Sequence, residues 1–191
     1  KLVILAHPDI KKIAVPISAS AEVDMLAEEF GLTVVKTRDS HLALMEAAAN
    51  KQIRFVGGTK GGFVFNEFLF ASDGMYSVAK LLECLSISKK RLGQLDSETP
   101  RLHMVKRAVP CEWNLKGKVM RYLMKDTERL PRELIDGVKV FPRPGERLTS
   151  MLLIPDRTRP VFHINAESAD ASMAQQLANE YEVKLHVWMN T

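Results

Sequence analysis

Apolar and polar positions alternate with two different periods along this chain, and the pattern changes character near its middle. Residues 13–17 form a short apolar run in which Pro16, unable to donate to a ladder, marks an edge or strand end. Residues 18–29 predict a helix: Ser20 can cap it, Glu22 and Asp24 suit its first turn, Val23, Leu26, Ala27 and Phe30 share a face, and Gly31 stops it. Residues 33–36 are β-branched and read as a strand, after which Asp39 or Ser40 opens a helix carried by Leu44, Ala47 and Ala48.

Two apolar runs, 54–56 and 63–65, then flank Gly57-Gly58-Thr59-Lys60-Gly61-Gly62, a turn whose glycines permit positive φ and close backbone approach. Ser72 or Asp73 caps the helix that follows. Its Met75, Val78, Ala79, Leu82 and Leu85 keep three-and-four spacing and predict a buried stripe. Strand, helix, strand, helix, strand, strand, helix is the order of an α/β domain with a mainly parallel mixed sheet, assigned to residues 1–90.

Residues 88–100 are polar, charged and closed by Pro100, which places a linker, as a short helix or hinge, at 91–100. Beyond it, residues 101–110 alternate, 112–125 carry a helical face of Val119, Met120, Leu123 and Met124, and 137–141, 148–154 and 161–166 read as strands. The last two flank a turn with proline at both ends, Pro155 and Pro160. A final helix begins at Asp170 and uses Ala174, Leu177, Ala178, Tyr181, Leu185 and Trp188, although Val183, Leu185 and Val187 also alternate as a strand would. Residues 101–191 are therefore expected to be an α+β domain, an antiparallel sheet covered by helices.

Composition narrows the function classes. Hydrophobic residues make up 46% of the chain, enough to bury a core in each half. The formal charge of +4 comes from Lys and Arg interleaved with Asp and Glu, which suits a small phosphate ligand or plain solubility and argues against nucleic acid. Two cysteines, Cys84 and Cys111, make neither a disulfide framework nor a metal-ligand pattern, so a reducing cytoplasm is expected. No apolar run is long enough to span a membrane. The five histidines stand singly and read as structural, as do Trp113 and Trp188, taken as packed anchors.

The first half resembles the third domain of the α-D-phosphohexomutase superfamily, whose sugar-contacting loop has the form GGExSGH, followed by a phenylalanine and then a DGxxxxxxLLE helix. Gly57, Gly58, Gly62 and Phe65 match the loop, and Asp73-Gly74 and Leu81-Leu82-Glu83 the helix. Thr59 stands in place of the glutamate, Gly61 of the serine and Phe63 of the histidine. The second half is similar to the fourth domain, with its GVKV strand, here Gly137 to Val140, and its phosphate loop RxSxTEPxxR. Thr158 and Pro160 keep that loop's frame, while Ile154 replaces the leading arginine, Asp156 the serine, Arg159 the glutamate and His163 the later arginine. The segment 109–120 also looks like the mutase-like part fused behind some bacterial sugar-phosphate nucleotidyltransferases.

The resemblance implies a carboxy-terminal fragment of a phosphomannomutase or phosphoglucomutase. Such enzymes transfer a phosphoryl group from a phosphoserine and use Mg²⁺, held in the family by a DGDxDR loop. Neither motif occurs in these residues, so no cofactor is expected in the fragment, and the nucleophile and metal are expected from missing amino-terminal domains. The candidate substrate-binding residues are Gly58, Thr59, Lys60 and Gly61 in the first half and Arg157, Thr158 and Arg159 in the second, with mannose or glucose phosphate as a weakly bound partner. Arg38 is a further candidate. An ordinary glycine hairpin and solvated arginines would carry the same residues, and Asp156 is expected to oppose an incoming anion. The alternative is a non-catalytic module that packs on or regulates a fused mannose-1-phosphate guanylyltransferase.

Overall fold

The computed structural model describes residues 1–99, 101–143 and 145–191, so Pro100, at the end of the expected linker, lies outside the described residues. The chain divides into two compact units, Lys1–Arg101 and Leu102–Thr191.

Unit 1 runs α1 (Leu2–Ala6), β1 (Lys12–Pro16), α2 (Glu22–Glu29), β2 (Thr33–Thr37), α3 (His41–Ala48), β3 (Phe55–Gly57), β4 (Phe63–Phe65), α4 (Gly74–Ser88) and α5 (Leu92–Ser97). The sheet order is β2-β1-β3-β4. β1 is parallel to both β2 and β3, whereas β4 returns antiparallel along β3. This is the expected mainly parallel mixed sheet. Because strand side chains alternate, Ala14, Val56 and Val64 face one way and bury Leu44 and Ala48 of α3. Ile13, Val15, Phe55, Phe63 and Phe65 face the other way, toward α1, α2 and α4.

Several local choices follow from side-chain chemistry. Ser40 Oγ accepts the amide of Ala43 and Asp73 Oδ1 that of Tyr76, so Ser40 and Asp73 are the caps of α3 and α4. α2 starts at Glu22, later than expected. Ser20 Oγ accepts the Glu22 amide, and residues 17–19 are spent on the turn closed by Ala19 N to Pro16 O. The hydrophobic segment at the chain's start is the short helix α1, which the alternation alone did not reveal. Residues 92–97, within the expected linker, are helical and belong to unit 1.

The stripe on α4 is not buried. Met75 is 88% exposed and Leu82 62%, while Lys80 and Cys84 face inward instead. α4 packs on α1 and touches β4, and Val78 stays 58% exposed at the rim of the cleft they share. Lys80 can face inward because its ammonium is held by Glu67 at 2.7 Å and Glu83 at 2.8 Å. Burial alone would lower its pKa, but those two bonds outweigh burial and raise it. Between the sheet and α1, α2 and α4 an apolar cleft of about 510 Å³ stays open.

Unit 2 runs β5 (His103–Pro110), α6 (Trp113–Asp126), β6 (Arg132–Glu133), β7 (Val138–Val140), β8 (Ser150–Pro155), β9 (Val161–Ser168) and α7 (Ala171–Asn190). The five strands pair in the order β5-β9-β8-β7-β6, every pair antiparallel. Both helices cover one face. Val119 and Leu123 of α6 and Tyr181, Leu185 and Trp188 of α7 pack on Val109, Val140, Leu153 and Phe162. α7 stays helical to Asn190: Leu185 is buried while Val183 and Val187 are exposed, a helical split, not a strand's. Trp113, unlike Trp188, is no packed anchor; it is 54% exposed and carries the Lys116 ammonium 3.8 Å from its ring centroid.

Candidate functional site

The parallel strands of unit 1 end together, and three loops leave from their carboxyl ends: one after β1 with Ser18, one after β2 with Arg38 and Asp39, and one after β3 with residues 58–62. In open α/β sheets this edge is where ligands bind. Ser18 Oγ donates to Asp39 Oδ2 at 2.8 Å and lies 3.4 Å from Thr59 Oγ1, so all three loops meet through polar side chains.

The glycine loop is tightly wound. Gly61 and Gly62 sit at φ of 81° and 78°, the Gly58 amide donates to Gly62 O at 3.2 Å, and a Cβ on Gly58 would stand 2.5 Å from Gly61 O. Only glycine fits at Gly58. Lys60 and Thr59 are exposed at the tip, Arg38 is exposed beside Asp39, and His41 approaches Gly62. Gly58, Thr59, Lys60 and Gly61 thus share one edge with Arg38, and the structure adds Ser18 and Asp39. Ser18 was missed because a serine after a strand reads as an ordinary turn or helix start. Its role rests on a pairing 21 residues away.

In unit 2 the loop between β8 and β9 is built around Asp156. Its Oδ1 accepts the amides of Thr158 at 2.8 Å and Arg159 at 2.9 Å and the Thr158 hydroxyl at 3.0 Å. Its Oδ2 accepts Arg159 Nε at 3.1 Å and lies 2.8 Å from His163 Nε2. The His163 bond first, then the Thr158 amide, hold this carboxyl well below the usual carboxylate range. From α6, the Lys116 ammonium donates to the carbonyls of Asp156 and of Arg159, the latter at 2.6 Å. Arg157 pairs with Asp136. Arg157, Thr158 and Arg159 are exposed, and Asp156, expected to oppose an incoming anion, is itself bonded to Thr158 and Arg159. His163, read from sequence as structural, closes the same cluster.

Among the described residues no group of three or more His, Cys, Asp or Glu side chains converges as a metal cage would. None of these residues is assigned to Mg²⁺.

A family model described as "Phosphoglucomutase/phosphomannomutase, alpha/beta/alpha domain III" matches residues 3–102, more than half of the chain. The chain belongs to the phosphoglucomutase/phosphomannomutase family. Among curated relatives, a phosphoglucosamine mutase of Methanococcus maripaludis (strain C7) is 27% identical over 169 residues, 87% of this chain and 37% of that protein. A probable phosphoglucosamine mutase of Pyrococcus horikoshii is 27% identical over 178 residues, 90% of this chain and 38% of that one. The chain thus spans well under half the length of these relatives. Among solved structures, a phosphoglucomutase/phosphomannomutase family protein from Burkholderia thailandensis superposes with a TM-score of 0.78 at 16% identity, over 98% of this chain and 40% of that one. The Aspergillus fumigatus N-acetylphosphoglucosamine mutase, solved with GlcNAc-6P and magnesium, gives 0.69 at 12%, over 95% and 45%. Both likenesses show the fold of this phosphohexomutase family segment: a mixed α/β domain followed by an antiparallel one.

Proposed function

We propose that this chain is the carboxy-terminal half of a phosphomannomutase/phosphoglucomutase-like protein of sugar-phosphate metabolism. Its part is to contact a hexose phosphate weakly, through Gly58, Thr59, Lys60 and Gly61 with Ser18 and Arg38 beside them. The phosphoserine and the Mg²⁺ loop then come from amino-terminal domains of the same protein, which this chain meets as its partner. The observation that carries the reading is the convergence of Ser18, Asp39 and Thr59 with the glycine loop at the carboxyl edge of β1, β2 and β3. Hydroxyls, loop amides and the exposed Lys60 and Arg38 are the donors that sugar hydroxyls and a phosphate require. Without glutamate at position 59 the edge has fewer acceptors for sugar hydroxyls, which sets the expected affinity near the millimolar range, about −4 kcal/mol.

A second reading has its own support. The β8–β9 loop is filled by Asp156, and α4 presents Met75, Val78 and Leu82 to solvent, features that suit a non-catalytic module packing on a neighbouring domain such as a fused mannose-1-phosphate guanylyltransferase. Calorimetric titration with glucosamine 6-phosphate and mannose 1-phosphate, alongside a coupled mutase assay with bisphosphate activator, separates these. Millimolar binding without turnover is expected under the first reading. Turnover by the chain alone overturns both readings, and absence of binding leaves the second standing.

A further inference from the structure

Two backbone amides, a hydroxyl, a guanidinium and an imidazole converge on a single carboxylate in the β8–β9 loop. An ordinary aspartate turn needs only the Oδ1 bonds to Thr158 and Arg159. Here Oδ2 is engaged as well, by Arg159 and His163, so the roughly four lone-pair sites of a carboxylate are all taken. Successive amides backed by cationic side chains form an anion-receiving nest. Lys116 also pins both ends of the turn, because its ammonium donates to the carbonyls of Asp156 and Arg159.

We infer that Asp156 is a built-in anion, a self-ligand that fills this nest and makes the loop reject free phosphate. A phosphate brings more charge and a third acceptor oxygen, but it reaches Thr158 N, Arg159 N and the Arg159 guanidinium only by expelling a carboxylate already bonded to all three. Asp156 is thereby the specificity-determining residue of the loop. Serine at this position would leave the same donors facing an open nest. Asparagine would keep the size but lose the charge, leaving Arg159 and His163 without an anion. The inference goes beyond the proposed function, which places the sugar-phosphate contacts at the glycine edge of unit 1; it stands on the bonds within this loop.

The test uses inorganic phosphate as probe on the full 191-residue chain, read by the amide resonances of Thr158 and Arg159. The wild type is expected to show no saturable shift up to tens of millimolar. Asp156→Ser and Asp156→Asn are expected to bind at least about tenfold more tightly, a difference of roughly 1.4 kcal/mol, and to lose that gain when Arg159→Ala is added. The spectra of β8 and β9 report whether each variant is folded, and either variant suffices. Saturable phosphate binding by the wild type at these two amides overturns the inference without any variant. Folded Asp156 variants that still ignore phosphate also overturn it. Shifts at residues 58–61 with a sugar phosphate judge the unit 1 reading separately, whatever happens at Asp156.

Discussion

Ser18 and Asp39 join two crossovers of the first sheet: the hydroxyl after β1 donates to the carboxylate after β2 at 2.8 Å, half-buried at the carboxyl edge. Deleting the donor leaves that carboxylate one bond short. Ser18→Ala is expected to lower the stability of unit 1 by about 1 kcal/mol, the usual net value of such a bond, read as a fall in urea midpoint at unchanged slope. Because the hydroxyl also faces Thr59, the variant should weaken sugar-phosphate binding too. A change in stability with no change in binding would remove Ser18 from the site.

Gly58→Ala tests whether the glycine loop is fixed by sterics. The new Cβ would meet Gly61 O at 2.5 Å, a backbone atom held by the loop's own winding, so the loop has to open. A loss of about 1–3 kcal/mol is expected, with amide shifts confined to residues 57–62 and their surroundings. A variant as stable as the wild type would show that the loop is slack.

The exposed face of α4 gives the opposite kind of prediction. Met75→Glu with Leu82→Lys should change stability by no more than about 0.5 kcal/mol, since both side chains already meet water. Leu44→Ala, in the core between α3 and the sheet, should cost about 2–4 kcal/mol. A large loss from the α4 pair would mean that this face is covered in solution.

These contrasts show which parts of the structure the sequence carries. Periodicity predicted β1–β4, α2 and α3 in the first unit and β5, α6 and β7–β9 in the second, where a buried face leaves its spacing in the sequence, but not α1 or β6. Capping chemistry narrowed the starts of α3 and α4 to Asp39 or Ser40 and to Ser72 or Asp73, and the structure selects Ser40 and Asp73. The α4 stripe misled because apolar spacing reports that a face is hydrophobic, not that anything lies against it, and because Lys80 can face inward between two carboxylates. Gly58, Thr59, Lys60 and Gly61 were legible as a loop of glycines. Ser18 and the bonds that Asp156 accepts from Thr158, Arg159 and His163 were not, since each depends on contacts across a turn or between strands that local spacing does not encode.

Two groups in unit 2 give its stability a dependence on pH. Asp156 has a folded pKa depressed below its unfolded value, so its contribution is complete above about pH 4 and fades as pH falls below that. The stability gap between the wild type and Asp156→Asn should therefore narrow in acid. Tyr181 goes the other way: burial pushes its phenol up to about 12, so its contribution is complete below about pH 10 and lost as pH rises toward 12. Tyrosinate absorbance should show one phenol resisting ionisation at pH 11, absent in Tyr181→Phe. An early, complete titration of every tyrosine would contradict its burial in the α7 core.

The most direct test of the whole account is a heteronuclear NMR titration of the wild-type chain with mannose 1-phosphate and, in parallel, glucosamine 6-phosphate. The account predicts saturable shifts at Ser18, Arg38 and residues 58–61 with a dissociation constant of about a millimolar, and no saturable shift at Thr158 or Arg159. Micromolar binding centred on Arg157, Thr158 and Arg159, or an unmoved glycine loop at saturating sugar phosphate, would contradict it.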